Sequence, residues 1–339
     1  MKKYIAAIIV IVFAFFAFRA FAQSSDSGFL FSFRGVLFGI LKEAEGIAAK
    51  IASPFAQSKT APVAPTKQTD EGNFSFAVIG DTQYFKAENS NGYFQKVVKD
   101  ITAANPNLVI VTGDLTGSCE SYSECIDKHN AWKKIDAPLL SKTYATMGNH
   151  DNIKNKGGKA WQDAFDFPTN GPASFSEQVY SFDYKNSHFV VLNSDSPKEH
   201  LVNGEERAWL EKDLSANKKE NTFVVFHEPA YPVSSKIGES LDVQPRERDA
   251  LWQILEKHNV TAVFNGHEHI VSRRKIGSTY QFVFGNTDSF DHDLPNPGIA
   301  EYANRGQGRF GMVSVSGKEI TVKIFSADNQ ELNSFTFTK

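Results

Sequence analysis

Cysteine is nearly absent: Cys119 and Cys125 are the only two in 339 residues. A C-x₅-C pair with no third cysteine does not supply a zinc-thiolate site. Two readings of the pair stay open, a local disulfide in an exported chain or two free thiols in a loop. Methionine is scarce as well, at 3 against 29 phenylalanines, so the core is expected to be rich in aromatic rings. Neither sign of charge dominates. The formal net charge is -3, with no long basic stripe, so charge suggests neither nucleic acid nor an anionic membrane surface as a partner. No internal repeat is visible. A hydrophobic fraction of 41% with 22% charged residues is that of an ordinary globular protein, of one large domain or two ordinary ones.

The first residues are unlike the rest. "MKKYIAAIIVIVFAFFAFRAFAQSS" places two lysines before an apolar run and ends it at Ala20-Phe21-Ala22. That is the order of a secretory signal with a small-x-small cleavage site. Read as an uncleaved anchor, residues 4–22 nearly span a bilayer if Arg19 snorkels. On either reading of residues 1–22 the remainder is exported, and a membrane tether stays open. Residues 23–72 hold a short apolar stretch, "FLFSFRGVLFGIL" (29–41), with "KEAEGIAAKIA" after it, together an amphipathic candidate. A Pro/Ala/Thr-rich linker follows over 53–72. A main domain is expected over 73–339.

Within that domain, apolar runs of strand length alternate with helical patterns. "FSFAVIGD" (74–81) and "NLVIVTGD" (107–114) precede helical candidates at 92–104 and 123–135. "TYATMGNHD" (143–151), "VYSFDY", "HFVVLNSD", "TFVVFHEP" (222–229) and "TAVFNGHEH" (261–269) follow, with helical candidates at 205–214 and 246–258. The tail reads as strand after strand. The pattern is α/β with a β-rich end.

The ends of those strands carry the chemistry. They run Gly80-Asp81 with Gln83 beyond, Gly113-Asp114, Gly148-Asn149-His150-Asp151, His227, and Gly266-His267-Glu268-His269. One such residue alone is a helix cap, a turn or a satisfied histidine. Five strands delivering carboxylates, an amide and imidazoles to one sheet edge are another matter, since open α/β sheets build their sites there. The mixed oxygen and nitrogen set suits Mn, Fe or Zn. Asp81, Gln83, Asp114, Asn149, His227, His267 and His269 are too many for one ion and fit two that share a carboxylate. Glycine before the polar residue at four of those strand ends lets the backbone turn tightly beside an ion.

In that order the motifs resemble the calcineurin-like metallophosphoesterase superfamily, whose signature runs D-x-H, G-D, G-N-H-[D/E], H, G-H-x-H. The resemblance spans about residues 74 to 339 and implies a four-layer α/β/β/α sandwich. It further implies that Asp114 bridges two metals, with Asp81 and His269 on the first and Asn149, His227 and His267 on the second. A metal-bridging hydroxide would then attack a phosphomono- or phosphodiester. His150 would assist the leaving group, and Asp151 would orient His150 or bind a partner behind it.

One departure from the signature and two missing subgroup motifs narrow the expectation. Gln83 stands where the family has a histidine ligand, so the first site is expected to be harder and more weakly held. Gly117 stands where purple acid phosphatases carry the tyrosine of G-D-x-x-Y. The Arg-rich motifs of the protein Ser/Thr phosphatases are absent too. The Cys119–Cys125 loop and "EPAYPVSS" (228–235) are expected to wall the pocket, with 288–298 a substrate-side loop. His129, His188, His200, His258 and His292 are taken as surface or structural residues, and Tyr84 and Tyr231 as packing. The rival reading is a non-catalytic, surface-tethered phosphate-binding module with a weakened first metal site. Sequence leaves the natural substrate, the metal and the oligomeric state open.

Overall fold

The computed structural model describes residues 73–83, 92–152 and 158–339. The expected signal or anchor, amphipathic segment and linker of residues 1–72 lie outside the described residues, as does Tyr84. Three strands, β1 (Phe74–Ile79), β2 (Leu108–Val111) and β3 (Thr143–Ala145), begin one sheet. The next seven form a second: β4 (Tyr180–Tyr184), β5 (Ser187–Val191), β6 (Asn221–Val225), β7 (Ala262–Asn265), β8 (Val271–Ile276), β9 (Thr279–Phe284) and β10 (Tyr302–Asn304). The last three return to the first: β11 (Arg309–Ser316), β12 (Glu319–Ser326) and β13 (Glu331–Thr338). Helices α1 (Tyr93–Ala104), α2 (Tyr122–Ile135), α3 (Gly158–Ala164), α4 (Gly204–Ala216) and α5 (Pro245–Lys257) lie between strands. The architecture is a four-layer α/β/β/α sandwich.

The first sheet is ordered β13-β12-β11-β1-β2-β3 and the second β10-β8-β9-β7-β6-β5-β4. Each has a parallel centre, β1-β2-β3 in one and β5-β6-β7-β9 in the other. Strands covered on both faces need continuous apolar runs, and β2 ("LVIV") and β6 ("NTFVV") are buried throughout. At the margin, β12 alternates buried and half-buried residues, the mark of a strand with one face in the core.

The abundance of phenylalanine is spent between the sheets. Phe76 of β1 sits with its ring centroid 5.4 Å from Phe189, 5.2 Å from Phe223 and 5.7 Å from Phe264, three rings of the opposite sheet. Edge-on ring contacts of this kind add to the burial that holds two sheets together. Beyond the second sheet, Leu210 and Leu214 of α4 and Leu251, Trp252 and Leu255 of α5 pack on Val190, Val224 and Val263. The packing fixes both parallel centres, and with them the edge where their carboxyl ends open. Cys119 and Cys125 form a disulfide with Cα atoms 5.3 Å apart, so of the two readings the pair is a local disulfide and not two free thiols.

Candidate metal centre

Every strand of the two parallel centres ends at the same edge, and the polar residues follow within a few positions. Asp81 follows β1, Asp114 follows β2, Asn149 to Asp151 follow β3, His227 follows β6, and His267 and His269 follow β7. Turning so sharply there takes unusual backbone. Asp81 (φ 50), Gln83 (φ 38), Asp114 (φ 51), His267 (φ 67) and His269 (φ 47) all occupy the left-handed region. Side chains with a Cβ resist that region, and such residues gather where a site dictates the geometry. The glycines have a second use besides turning. A Cβ on Gly266 would lie 2.4 Å from Asp81 Oδ2, and one on Gly148 would lie 2.2 Å from Asp114 Oδ1.

Asp114 stands at the centre, with its two oxygens facing two groups of residues. Oδ1 is 3.4 Å from His227 Nε2, and that nitrogen is 3.2 Å from Asn149 Oδ1. The His227 and His267 rings meet edge to face with centroids 5.2 Å apart. Oδ2 is 3.2 Å from Gln83 Nε2, which is itself 3.2 Å from His269 Nε2. His269 Nε2 lies 3.3 Å from Asp81 Oδ1. Among the described residues, Asp81, Asp114 and His269 offer donor atoms that all lie within 4.8 Å of one another. All seven residues expected as ligands therefore lie together, in the two groups that the family resemblance implied.

What turns the three imidazoles inward is invisible in the sequence. His227 Nδ1 donates to the carbonyl of Thr112 at 2.8 Å, His269 Nδ1 to that of Phe290 at 2.8 Å, and His267 Nε2 to that of Glu239 at 2.7 Å. Each bond fixes one ring nitrogen as the donor and leaves the other with a lone pair, which in His227 and His269 faces the centre. His227 Nε2 then faces two acceptor oxygens, and His269 Nε2 faces a carboxylate. Acceptors pointed at acceptors need a cation between them, so the donor set fits metal ions. Gln83 presents its amide nitrogen to the same space, and a half-turn of that amide puts Oε1 there instead.

Electrostatics show the cost of burying these groups. Burial raises the Asp81 carboxyl above its ordinary range, outweighing His269 and His227. At Asp114 burial acts the same way, but the charges of His227 and His150 and the hydrogen bonds they make hold its carboxyl well below that range. Burial opposes charge on His227 too, yet Asp114 and then Asp81 raise it. Burial, followed by the charge of His227, lowers His267.

His150 lies on the rim. Its amide donates to Asp114 Oδ1 at 2.9 Å and its ring Nε2 is 3.9 Å from Asp114 Oδ2, with about a third of the side chain exposed (35%). Asp151 points elsewhere. It is fully buried, and its carboxylate accepts from the amides of Leu115 (3.2 Å), Thr116 (3.1 Å) and Gly148 (3.1 Å). It ties the loops after β2 and β3 together. The partner of the His150 ring is Ser118, whose Oγ is 2.6 Å from Nδ1. The expectation that Asp151 orients His150 gives way to this arrangement, because backbone amides claim both carboxylate oxygens.

Neighbouring acids also act as braces. Glu268 accepts from the amides of Val233 and Ser234 at 2.6 Å each, pinning "EPAYPVSS" beside the site; its carboxyl is pushed up to about 7 by burial. Glu228 Oε2 is 2.7 Å from His200 Nδ1, and burial pushes its carboxyl up to about 8. His292 stacks on His269 with centroids 4.1 Å apart, inside the loop expected on the substrate side. Tyr231 packs against Trp252 and Arg248, as expected of a packing residue.

Two packed sheets that deliver two carboxylates, two amides and three imidazoles to one edge define a metallophosphoesterase scaffold. Residues 74–271, more than half of the chain, match the family of calcineurin-like phosphoesterases. The chain belongs to that family of metal-dependent phosphoric ester hydrolases. It is 26% identical over 198 residues to a probable cyclic nucleotide phosphodiesterase of Vesicomyosocius okutanii, covering 56% of this chain and 74% of that protein. It is 28% identical over 200 residues to purple acid phosphatase 23 of Arabidopsis thaliana, covering 50% of this chain but 42% of the relative. Among solved structures, a purple acid phosphatase from yellow lupin seeds superposes with a TM-score of 0.68 at 16% identity, over 80% of this chain and 55% of that one. That likeness is one of fold.

Proposed function

We propose that the chain is an exported phosphoesterase with a dinuclear metal site, hydrolysing phosphomono- or phosphodiesters. The observation that carries the reading is the pair of acceptor-lined spaces on either side of Asp114, into which His227 and His269 direct lone pairs. Asp81, Gln83, His269 and Asp114 Oδ2 would hold one ion, and Asn149, His227, His267 and Asp114 Oδ1 the other. The chemistry of that donor set admits Mn, Fe or Zn. Ions bound there supply electrophilic charge to the phosphoryl oxygens and an activated water as nucleophile.

The remaining work falls to the chain. Asn149 gives a neutral oxygen, which keeps the site from gathering more negative charge than an anionic substrate tolerates. The carbonyls of Thr112, Glu239 and Phe290 hold the imidazoles in one tautomer through the reaction. His150, on the rim with Nε2 toward the centre, is placed to give a proton to the leaving oxygen. Relatives named as cyclic nucleotide phosphodiesterases and as purple acid phosphatases support both ester classes. The signal-like start of the chain supports export, with a tether to the membrane if it is retained.

The test is to strip the full chain of metal, reload it separately with Mn, Fe or Zn, and compare p-nitrophenyl phosphate with bis(p-nitrophenyl) phosphate. Metal-dependent turnover that is lost in Asn149→Ala is the expected result. Metal uptake without turnover of either ester would overturn it. That outcome would favour the second reading, a phosphate-binding module, for which the amide of Gln83 in place of an imidazole is the specific motive.

A further inference from the structure

The ring of His150 takes its partner from a side chain outside the proposed ligand set, whereas those of His227, His267 and His269 are held by backbone carbonyls. Ser118 Oγ lies 2.6 Å from His150 Nδ1, while Nε2 on the far side of the ring faces Asp114 Oδ2 at 3.9 Å. Ser118 is held from three directions. The next residue, Cys119, is bonded to Cys125 in the first turns of α2. Lys128, one turn further along, donates to the carbonyl of Ser118 at 2.6 Å and of Gly117 at 3.4 Å. Ser121 caps α2, accepting from the amide of Glu124 at 3.3 Å. The serine itself is exposed while both cysteines are buried. A short, stapled loop thus carries one hydroxyl out to the imidazole.

We infer that Ser118 is a positioning residue for His150 and that the Cys119–Cys125 loop exists to hold it there. This rests on the phosphoesterase reading above. A hydroxyl oxygen accepts, so Ser118 serves either protonation state of the ring. It accepts from Nδ1–H while His150 is the doubly protonated acid, and still accepts from Nδ1–H once the Nε2 proton has passed to the leaving oxygen as the P–O bond breaks, its own proton turning to solvent. In both states the ring stays turned with Nε2 toward the reacting centre. Asp151 is occupied elsewhere, by three backbone amides and the Thr116 hydroxyl.

A double-mutant cycle of Ser118→Ala and His150→Ala in the Mn-loaded full chain tests this, using aryl phosphoesters that run from p-nitrophenol to unsubstituted phenol as leaving group. General acids contribute about 10² to 10⁴ in rate, most for poor leaving groups, and loss of orientation forfeits part of that. Ser118→Ala is expected to lower kcat about tenfold for the phenyl ester, less for the p-nitrophenyl ester, with KM unmoved, and to add nothing to His150→Ala. Ser118→Thr, which keeps the hydroxyl, is expected to restore kcat. Replacing both cysteines by serine should reproduce the same leaving-group dependence. Losses in Ser118→Ala that are equal for all esters, or that multiply those of His150→Ala, would overturn the inference while leaving the phosphoesterase reading intact. A wild-type chain that turns over no ester would overturn that reading itself.

Discussion

Gly148→Ala should disable the centre without unfolding the protein. A Cβ there would lie 2.2 Å from Asp114 Oδ1 and 2.5 Å from the Asp114 amide nitrogen. Non-bonded heavy atoms settle at about 3.5 Å, so roughly 1 Å must be found by moving Asp114 or the turn that carries Asn149. Neither is the free end of a flexible chain, because the Asp114 carboxylate also receives the amide of His150 at 2.9 Å. Overpacking of this size costs about 1–3 kcal/mol, which a domain with this much buried surface should survive. Displacing a reacting group by about 1 Å costs on the order of 100-fold in rate. The assay is kcat for bis(p-nitrophenyl) phosphate at saturating Mn, beside thermal unfolding and metal content. A variant that keeps its fold yet retains more than half of wild-type kcat would refute the claim that Asp114's position sets the chemistry.

Other expectations follow from the same geometry. Asp151→Asn puts an amide against the backbone N–H groups of Leu115, Thr116 and Gly148, and should cost about 1–3 kcal/mol of stability; per metal-loaded molecule it should retain far more activity than His150→Ala, measured by kcat for phenyl phosphate. Phe76→Ala removes the ring that meets Phe189, Phe223 and Phe264, and chemical denaturation should register a loss of about 4 kcal/mol. His188 bonds Asp183 and Asp213 at 2.7 Å each. Burial opposes its charge, but those bonds raise it from 6.5 to about 9. The folded value exceeds the unfolded one, so the stabilisation is complete below about pH 6.5 and is lost as pH rises through about 9, a window worth at most roughly 3 kcal/mol. In His188→Gln, urea denaturation at about pH 6 and about pH 10 should show that difference gone.

The alternating apolar runs were enough to mark most of the strands and the helices between them, because strands covered on both faces have little choice of residue. The expected helices at 92–104 and 123–135 match α1 and α2 closely. Strand β8, "VSRRKI", escaped because Arg273, Arg274 and Lys275 break the apolar pattern. It tolerates them near the sheet's margin, where Arg273 lies 3.6 Å from the Phe335 ring centroid. Strand β10, three half-buried residues, carries too little pattern to read.

At the site, the side chains that come together were legible as candidate ligands because metal chemistry admits few side chains. The rest was not, for a physical reason: three histidines are aimed by the carbonyls of Thr112, Glu239 and Phe290, and every residue has a carbonyl. Ser118 was missed for a related cause, since a hydroxyl in a loop carries no pattern until the fold sets it beside His150. Asp151 misled because its neighbour in sequence is not its neighbour in space.

The claim on which the rest depends is that Asp114 is shared between two ions. Titrating the metal-free full chain with Mn(II), followed by electron paramagnetic resonance and metal analysis, tests it most directly. The account predicts two ions bound per chain with an exchange-coupled signal, and loss of the coupling in Asp114→Asn. A single ion at saturation, or two with the spectrum of isolated Mn(II), would contradict it.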